Sequence, residues 1–213
     1  MFIQRHQVNL KSNLIVDREY TAYLEVIMVI KGKKVSLKLV QQEDIELIRN
    51  WRNSKDVSQH FIFRGYISKA QQKKWFEKKS TSGKDYYFLI VVDNEPIGLI
   101  FTKNIDWDKR EAETGIFIAK KEHRDSLVSF EATYLHGQHF YEKLNLIKNK
   151  IQVLESNEKA LRFNKNLGFK EVGKREVEID GEICKVVLLE VTRNEYDRRE
   201  KDRKWLSKVL GYK

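Results

Sequence analysis

Apolar Val35, Leu37 and Leu39 alternate with Ser36 and Lys38, the period-2 pattern of a half-buried strand. Helical spacing follows at once. Ile45, Leu47, Ile48 and Trp51 fall along one face, with Glu43 and Asp44 ahead of them, where acids suit the positive end of a helix dipole. Ser68 is a good N-cap for a second helix that ends around residues 80–83. Residues 86–92 read as a strongly apolar strand, 93–95 as a tight turn and 96–103 as the returning strand. Asp93 and Asn94 tolerate the positive φ of such a turn. Pro96, the sole proline, stands at a strand entrance, where its missing N–H breaks no ladder bond. Further strands are predicted over 111–119 and 151–154, with a helix over 126–144 between them. Ala160, Leu161, Phe163 and Leu167 recur at helical spacing, and Gly168 is a stop signal. Residues 170–176 predict another strand, and 177–186 a hairpin with Asp180-Gly181 at its tip. A strand over 186–191 closes the sheet, and a charged helix runs over 195–209. Residues 20–30 are also rich in strand formers, without a clear relation to the rest.

Length and composition narrow the classes. A chain of 213 residues suits one sizeable domain, and 41% hydrophobic residues permit a real core. No apolar run approaches the length of a bilayer span, and the first residues lack the order of a secretory signal. Cys184 is the only cysteine, so neither an internal disulfide nor a cysteine metal cluster can form. The expectation is a cytoplasmic protein with no metal and no membrane partner. The net charge of +10 is concentrated at the ends. Residues 1–34 hold six Lys/Arg against three Asp/Glu, and 193–213 hold eight against four. A basic stripe with interleaved aromatics is therefore lacking, and no nucleic-acid partner is expected.

The run from Asn157 through Ala160 to Leu167-Gly168-Phe169 resembles the late motif of the GNAT acyl-coenzyme A N-acyltransferases. Pro96-Ile97-Gly98 resembles the start of that family's third strand, and the element order matches its topology over residues 35–192. The resemblance implies an α+β fold: a mixed, mostly antiparallel sheet splayed at its centre, with helices on both faces. Residues 1–34 then form an N-terminal extension and 193–213 a basic C-terminal helix. It also implies transfer of an acetyl group from acetyl-CoA to a primary amine. The family's central strand falls on Ala112-Glu113-Thr114-Gly115, where Gly115 suits a bulge or a close backbone approach that frees backbone groups to pair with the pantetheine arm.

Family members wrap the coenzyme pyrophosphate in a glycine-rich turn at a helix start, an anion site built from free N–H groups and the dipole. Arg124 matches the turn's first position, while Leu127 and Ser129 stand where small residues are expected. The implied coenzyme contacts are Phe117, Ile118 and Ala119, then Arg124, Asp125, Ser126, Leu127 and Val128, and finally Asn157 and Asn164. Asn164 occupies a position where many members carry tyrosine, and asparagine supplies no proton at neutral pH; Tyr134 and Tyr141 are alternatives. Glu111 and Glu113, two apart on one strand, are the candidate general bases.

For the acceptor, Arg49, Trp51, Arg52, Asn53, His60, Arg64 and Trp75 fall in the two helices and loop that shape the family's acceptor pocket. Arg49-Asn50-Trp51-Arg52-Asn53, Ile67-Ser68 and Trp75-Phe76 resemble N-acetyltransferases of nucleotide-linked 4-amino-6-deoxy sugars. The basic wall also suits a sugar nucleotide, because guanidinium groups suit phosphate. Alternatives are an N-terminal acetyltransferase of the ribosomal-protein type and a catalytically weak acyl-CoA-binding module. A monomer or homodimer is expected.

Overall fold

A computed structural model describes residues 28–124, 126–199, 204 and 208. One sheet of eight strands organises them, in the order β1-β2-β3-β4-β5-β6-β8-β7. The strands are β1 (Val29–Lys31), β2 (Val35–Leu39), β3 (Tyr86–Val92), β4 (Glu95–Asp106), β5 (Glu111–Ile118), β6 (Lys148–Leu154), β7 (Lys170–Ile179) and β8 (Glu182–Thr192). Every neighbouring pair is antiparallel except β5 and β6, which run parallel. Between β2 and β3 come α1 (Ile45–Asn53), the short α2 (Lys55–Ser58) and α3 (Lys69–Ser80). Helix α4 (Val128–Gln138) precedes β6, α5 (Glu158–Asn166) lies between β6 and β7, and α6 (Arg193–Arg198) follows β8.

The unbroken apolar run of β3 reflects burial on both faces. Phe88 and Ile90 meet Val128, Ala132 and Leu135 of α4. Leu89, pointing the other way, meets Ile48 and Trp51 of α1 and Phe76 of α3. Each such side chain contributes about 1.5–3 kcal/mol on burial. On the far half of the sheet, Ala160 and Leu161 of α5 pack over Ile151, Val187 and Leu189. Helices thus cover both faces, as the sequence predicts.

The local signals hold where chain neighbours decide them. Asp93 and Asn94 turn β3 into β4 with φ of 48° and 64°. Gly168 ends α5 at φ 98°, and Asp180 and Gly181 form the β7–β8 turn. Ser68 caps α3, accepting from the Gln71 N–H.

Several expectations need correction. Residues 170–179 form one continuous strand rather than a strand followed by a separate hairpin. The helix expected over 126–144 is α from Val128 to Gln138 and then a π turn over His139–Lys143. Helix α2 was not anticipated. Gly115 is not a bulge, because β4 and β5 stay in register from Gly98–Ile118 to Lys103–Glu113, and the irregularity falls between Lys103 and Asp106. A Cβ placed at Gly115 would lie 2.4 Å from Cζ of the Phe101 ring, so a larger residue there displaces that ring. Strand β1 falls inside the stretch read as an extension and pairs with β2; residues 1–27 lie outside the described residues. Of the expected C-terminal helix, residues 193–198, 204 and 208 are helical.

Candidate active site

Strands β5 and β6 share only three residue pairs, the last being Glu113 with Lys150. Beyond it β5 follows β4 to Ile118, and β6 follows β8 to Leu154. The strands part into a V, and Thr114 bridges its base by donating to Asn149 Oδ1 at 2.8 Å. A cleft of about 2070 Å³ fills the V, with Gly115–Ile118 on one arm and residues 151–154 on the other. The β5 edge there lacks a partner strand, so its backbone can receive an extended ligand.

Three regions converge on the cleft. From the α5 side come Asn157, Asn164, Lys159, Arg162 and Lys165. Asn157 caps α5, accepting from the Ala160 N–H at 3.2 Å, and Asn164 Nδ2 donates to the Ala160 carbonyl at 2.8 Å. The α6 side adds Tyr196 and Arg199. Tyr196 stacks on Tyr141 with centroids 4.2 Å apart, and this contact holds α6 beside the cleft. From α1, α3 and the loop between them come Arg52, His60, Phe61, Gln72 and Trp75.

The candidate bases separate. Glu113 lines the cleft, paired with Lys103 at 2.8 Å and accepting from Gln152 Nε2 at 3.3 Å. Glu111 is held by Lys150 at 2.5 Å and Lys148 at 3.8 Å and is not part of the cleft wall. Parity put both acids on one strand face, but the V opens only beyond Glu113.

Among the expected coenzyme residues, Phe117, Ile118, Arg124, Ser126, Asn157 and Asn164 line the cleft; Ala119, Leu127 and Val128 do not. Arg124 works mainly as a clamp, donating to the carbonyls of Ile118 and Ala119 at 3.0 Å each. Leu127 takes ordinary right-handed angles at the start of α4, so its backbone does not require glycine. Asp125 lies outside the described residues. Tyr134 and Tyr141 both line the cleft, but the Tyr141 hydroxyl donates to the Val191 carbonyl at 3.4 Å and its phenol is raised by burial.

The acceptor set divides in the same way. Arg52, His60 and Trp75 line the cleft; Arg49, Trp51, Asn53 and Arg64 do not. Arg49 is buried, donating to Glu46, the Tyr66 hydroxyl and the Ile67 carbonyl, so it is unavailable to a phosphate. Asn53 grips Ile67 by both its N–H and its C=O. Arg64 reaches Asp180 on the β7–β8 turn at 3.5 Å, and Trp51 packs edge-on against Phe117. Arg49, Asn53 and Arg64 hold the loop in place and Trp51 packs on the sheet, which only long-range contacts could reveal.

The Arg52 guanidinium lies 3.5 Å over the Phe61 ring, and burial pulls it down to about 10. Burial, with Arg124 and Arg64 nearby, lowers His60; its ring sits 3.5 Å from Asn157 Nδ2, joining the acceptor loop to the α5 cap. Lys103 is a wall residue that sequence reasoning missed, although it stands opposite Glu113 in the β4–β5 register. Asp56 and Glu113 are wall carboxylates, and each is ion-paired, with Lys121 at 2.7 Å and Lys103 at 2.8 Å. No metal-binding group of His, Cys, Asp or Glu exists among the described residues. None of their helices is long and apolar enough to cross a membrane.

Comparison with known proteins agrees with this geometry. The acetyltransferase (GNAT) domain family matches residues 34–170. Spermidine N(1)-acetyltransferase of Escherichia coli K12 is 24% identical over 164 residues, covering 76% of this chain and 88% of that protein. The crystal structure of spermidine N-acetyltransferase from Vibrio cholerae in complex with CoA and spermine superposes with a TM-score of 0.72 at 22% identity, covering 78% of this chain and 99% of that one. A dodecameric structure of the Vibrio cholerae enzyme gives a TM-score of 0.68 at 22% identity. These relatives are polyamine enzymes, rather than the amino-sugar or ribosomal-protein enzymes suggested by the finer resemblance.

Proposed function

The chain belongs to the acetyltransferase (GNAT) domain family, and from that membership we propose that it moves an acetyl group from acetyl-CoA to the primary amine of a small molecule held in the cleft. The observation that carries this reading is the parting of β5 and β6 directly beyond Glu113, inside a cleft whose walls supply both cations and aromatic surface. When bound, acetyl-CoA supplies the activated thioester. Lys159, Arg162, Lys165 and Arg199 offer cations to its phosphates, Arg162 and Lys165 by giving up exposed ion pairs with Glu158 at 3.6 Å and Glu171 at 3.8 Å, and the open edge of β5 offers backbone groups to its amide arm. Glu113 receives the proton that the amine gives up as the new C–N bond forms. Asn164 donates a hydrogen bond but no proton, so as the C–S bond breaks coenzyme A leaves as a thiolate, which takes its proton from solvent.

A polyamine is the first acceptor class, on the strength of the polyamine relatives. One observation favours a second class, an amino group on an anionic carrier such as a nucleotide-linked sugar. Both wall carboxylates are already ion-paired, and Arg52 and Lys103 face the same space, a poor setting for a polycation. Thiol release measured with spermidine, spermine and a UDP-linked 4-amino sugar tests both. A kcat/KM at least tenfold higher for one class selects it, and no release with any amine rejects the transferase reading.

A further inference from the structure

Gln72 lies on α3 three residues before Trp75, and both residues line the cleft. The side chain is almost wholly enclosed, with 4% of the residue exposed, and its Nε2 is buried without a hydrogen-bond partner. Its neighbour Gln71 differs: it accepts from the Ser68 N–H at 2.8 Å and completes the start of the helix. A buried N–H group with no acceptor is costly, and folded proteins leave few of them. Packing gives no reason for the amide, since methionine would fill a similar volume without a polar group. A hydrogen bond completed by something that enters the cleft would satisfy it.

The geometry points to Gln72 as a specificity-determining residue of the acceptor site, whose amide donates to an oxygen on the bound amine. This rests on the transferase reading above and selects between its two acceptor classes. A protonated polyamine presents N–H donors and no lone pair, so it can address only the amide's Oε1 and leaves Nε2 unsatisfied. An amine that also carries hydroxyl, carbonyl or phosphate oxygens completes the bond. Arg52 on the same wall is a pure donor. Gln72 does not touch the reacting atoms in this scheme, so its contribution is to binding.

The test uses the full chain and its Gln72→Met and Gln72→Glu variants. The acceptors are a UDP-linked 4-amino sugar, spermidine, 1,3-diamino-2-propanol and its oxygen-free counterpart 1,3-diaminopropane. For Gln72→Met we expect a higher Tm, because the unpaired amide is gone. The KM for oxygen-bearing acceptors rises about tenfold with kcat within about twofold, the split expected when uniform binding is lost. KM for the oxygen-free amines stays unchanged. A lower Tm with unchanged KM overturns the inference, since the amide is then structural. Faster acetylation of spermidine by Gln72→Glu also overturns it, because the position then faces an ammonium group. If the wild type acetylates none of the four amines, the transferase reading fails, and the Tm comparison alone judges whether Nε2 lacks a protein partner.

Discussion

Glu113 and Lys103 face each other across β5 and β4 in a 2.8 Å ion pair, at the last residue β5 shares with β6. The lysine fixes the carboxylate at the base of the V. Glu113→Gln keeps the shape and removes the proposed proton acceptor. We expect kcat to fall about 100-fold, the scale of general-base catalysis, with KM little changed. Glu111→Gln, outside the cleft, should leave kcat within about twofold. Equal losses in both variants would remove the distinction between the two acids.

Arg124 ties the end of β5 to the turn before α4 through two carbonyls. Arg124→Ala should lower unfolding free energy by about 1–2 kcal/mol. It should also weaken coenzyme A affinity about tenfold by calorimetry, because the turn loses both its clamp and a cation. Unchanged affinity beside a lowered stability would confine Arg124 to a structural role.

Gly98 packs against the neighbouring strand so tightly that a Cβ would lie 2.3 Å from the Phe117 carbonyl oxygen and 3.0 Å from Ile118 Cα. Both are backbone atoms and cannot swing aside. Gly98→Ala should therefore cost about 3 kcal/mol, a Tm decrease of roughly 6–12 °C for a chain of this size. A thermal melt within about 2 °C of wild type would show that the β4–β5 pair can slide.

His136 and His139 are buried in the helix that covers β3 and β4. Thr102 Oγ1 lies 2.9 Å from His136 Nε2, while His139 Nδ1 is buried without a hydrogen-bond partner. Burial pulls His136 down to about 3 and His139 to about 4 from an ordinary 6.5. Below pH 6.5 the unfolded chain binds protons that the folded chain refuses, so stability is full above that pH and falls as pH drops toward 4. The slope should approach about 1.4 kcal/mol per pH unit for each histidine, with a smaller addition from His60. Glu195, depressed to about 2 chiefly by Lys170, withdraws its stabilisation only at lower pH. Urea unfolding between pH 4.5 and 6.5 should show the slope, and His139→Phe, set against Tyr86 and Phe88, should remove about half of it. An unaltered slope would assign the pH dependence to other groups.

Chain-local physics already fixed much of this protein in its sequence. The double-sided apolar run of β3, the caps at Ser68 and Asn157 and the stop at Gly168 depend on residues a few positions apart. Periodicity and backbone sterics therefore expose them, along with the family's late motif. The site's charges depend on partners far along the chain. Lys103 and Lys150 reach different glutamates on β5, Asn53 and Arg49 are spent on Ile67, and Arg64 is drawn to Asp180. Parity made Glu111 and Glu113 equivalent, and composition made Arg49, Arg52 and Arg64 of the acceptor segment look alike. Only the parting of β5 from β6 decided which carboxylate faces the cleft, because a strand's surroundings change where its partner leaves it.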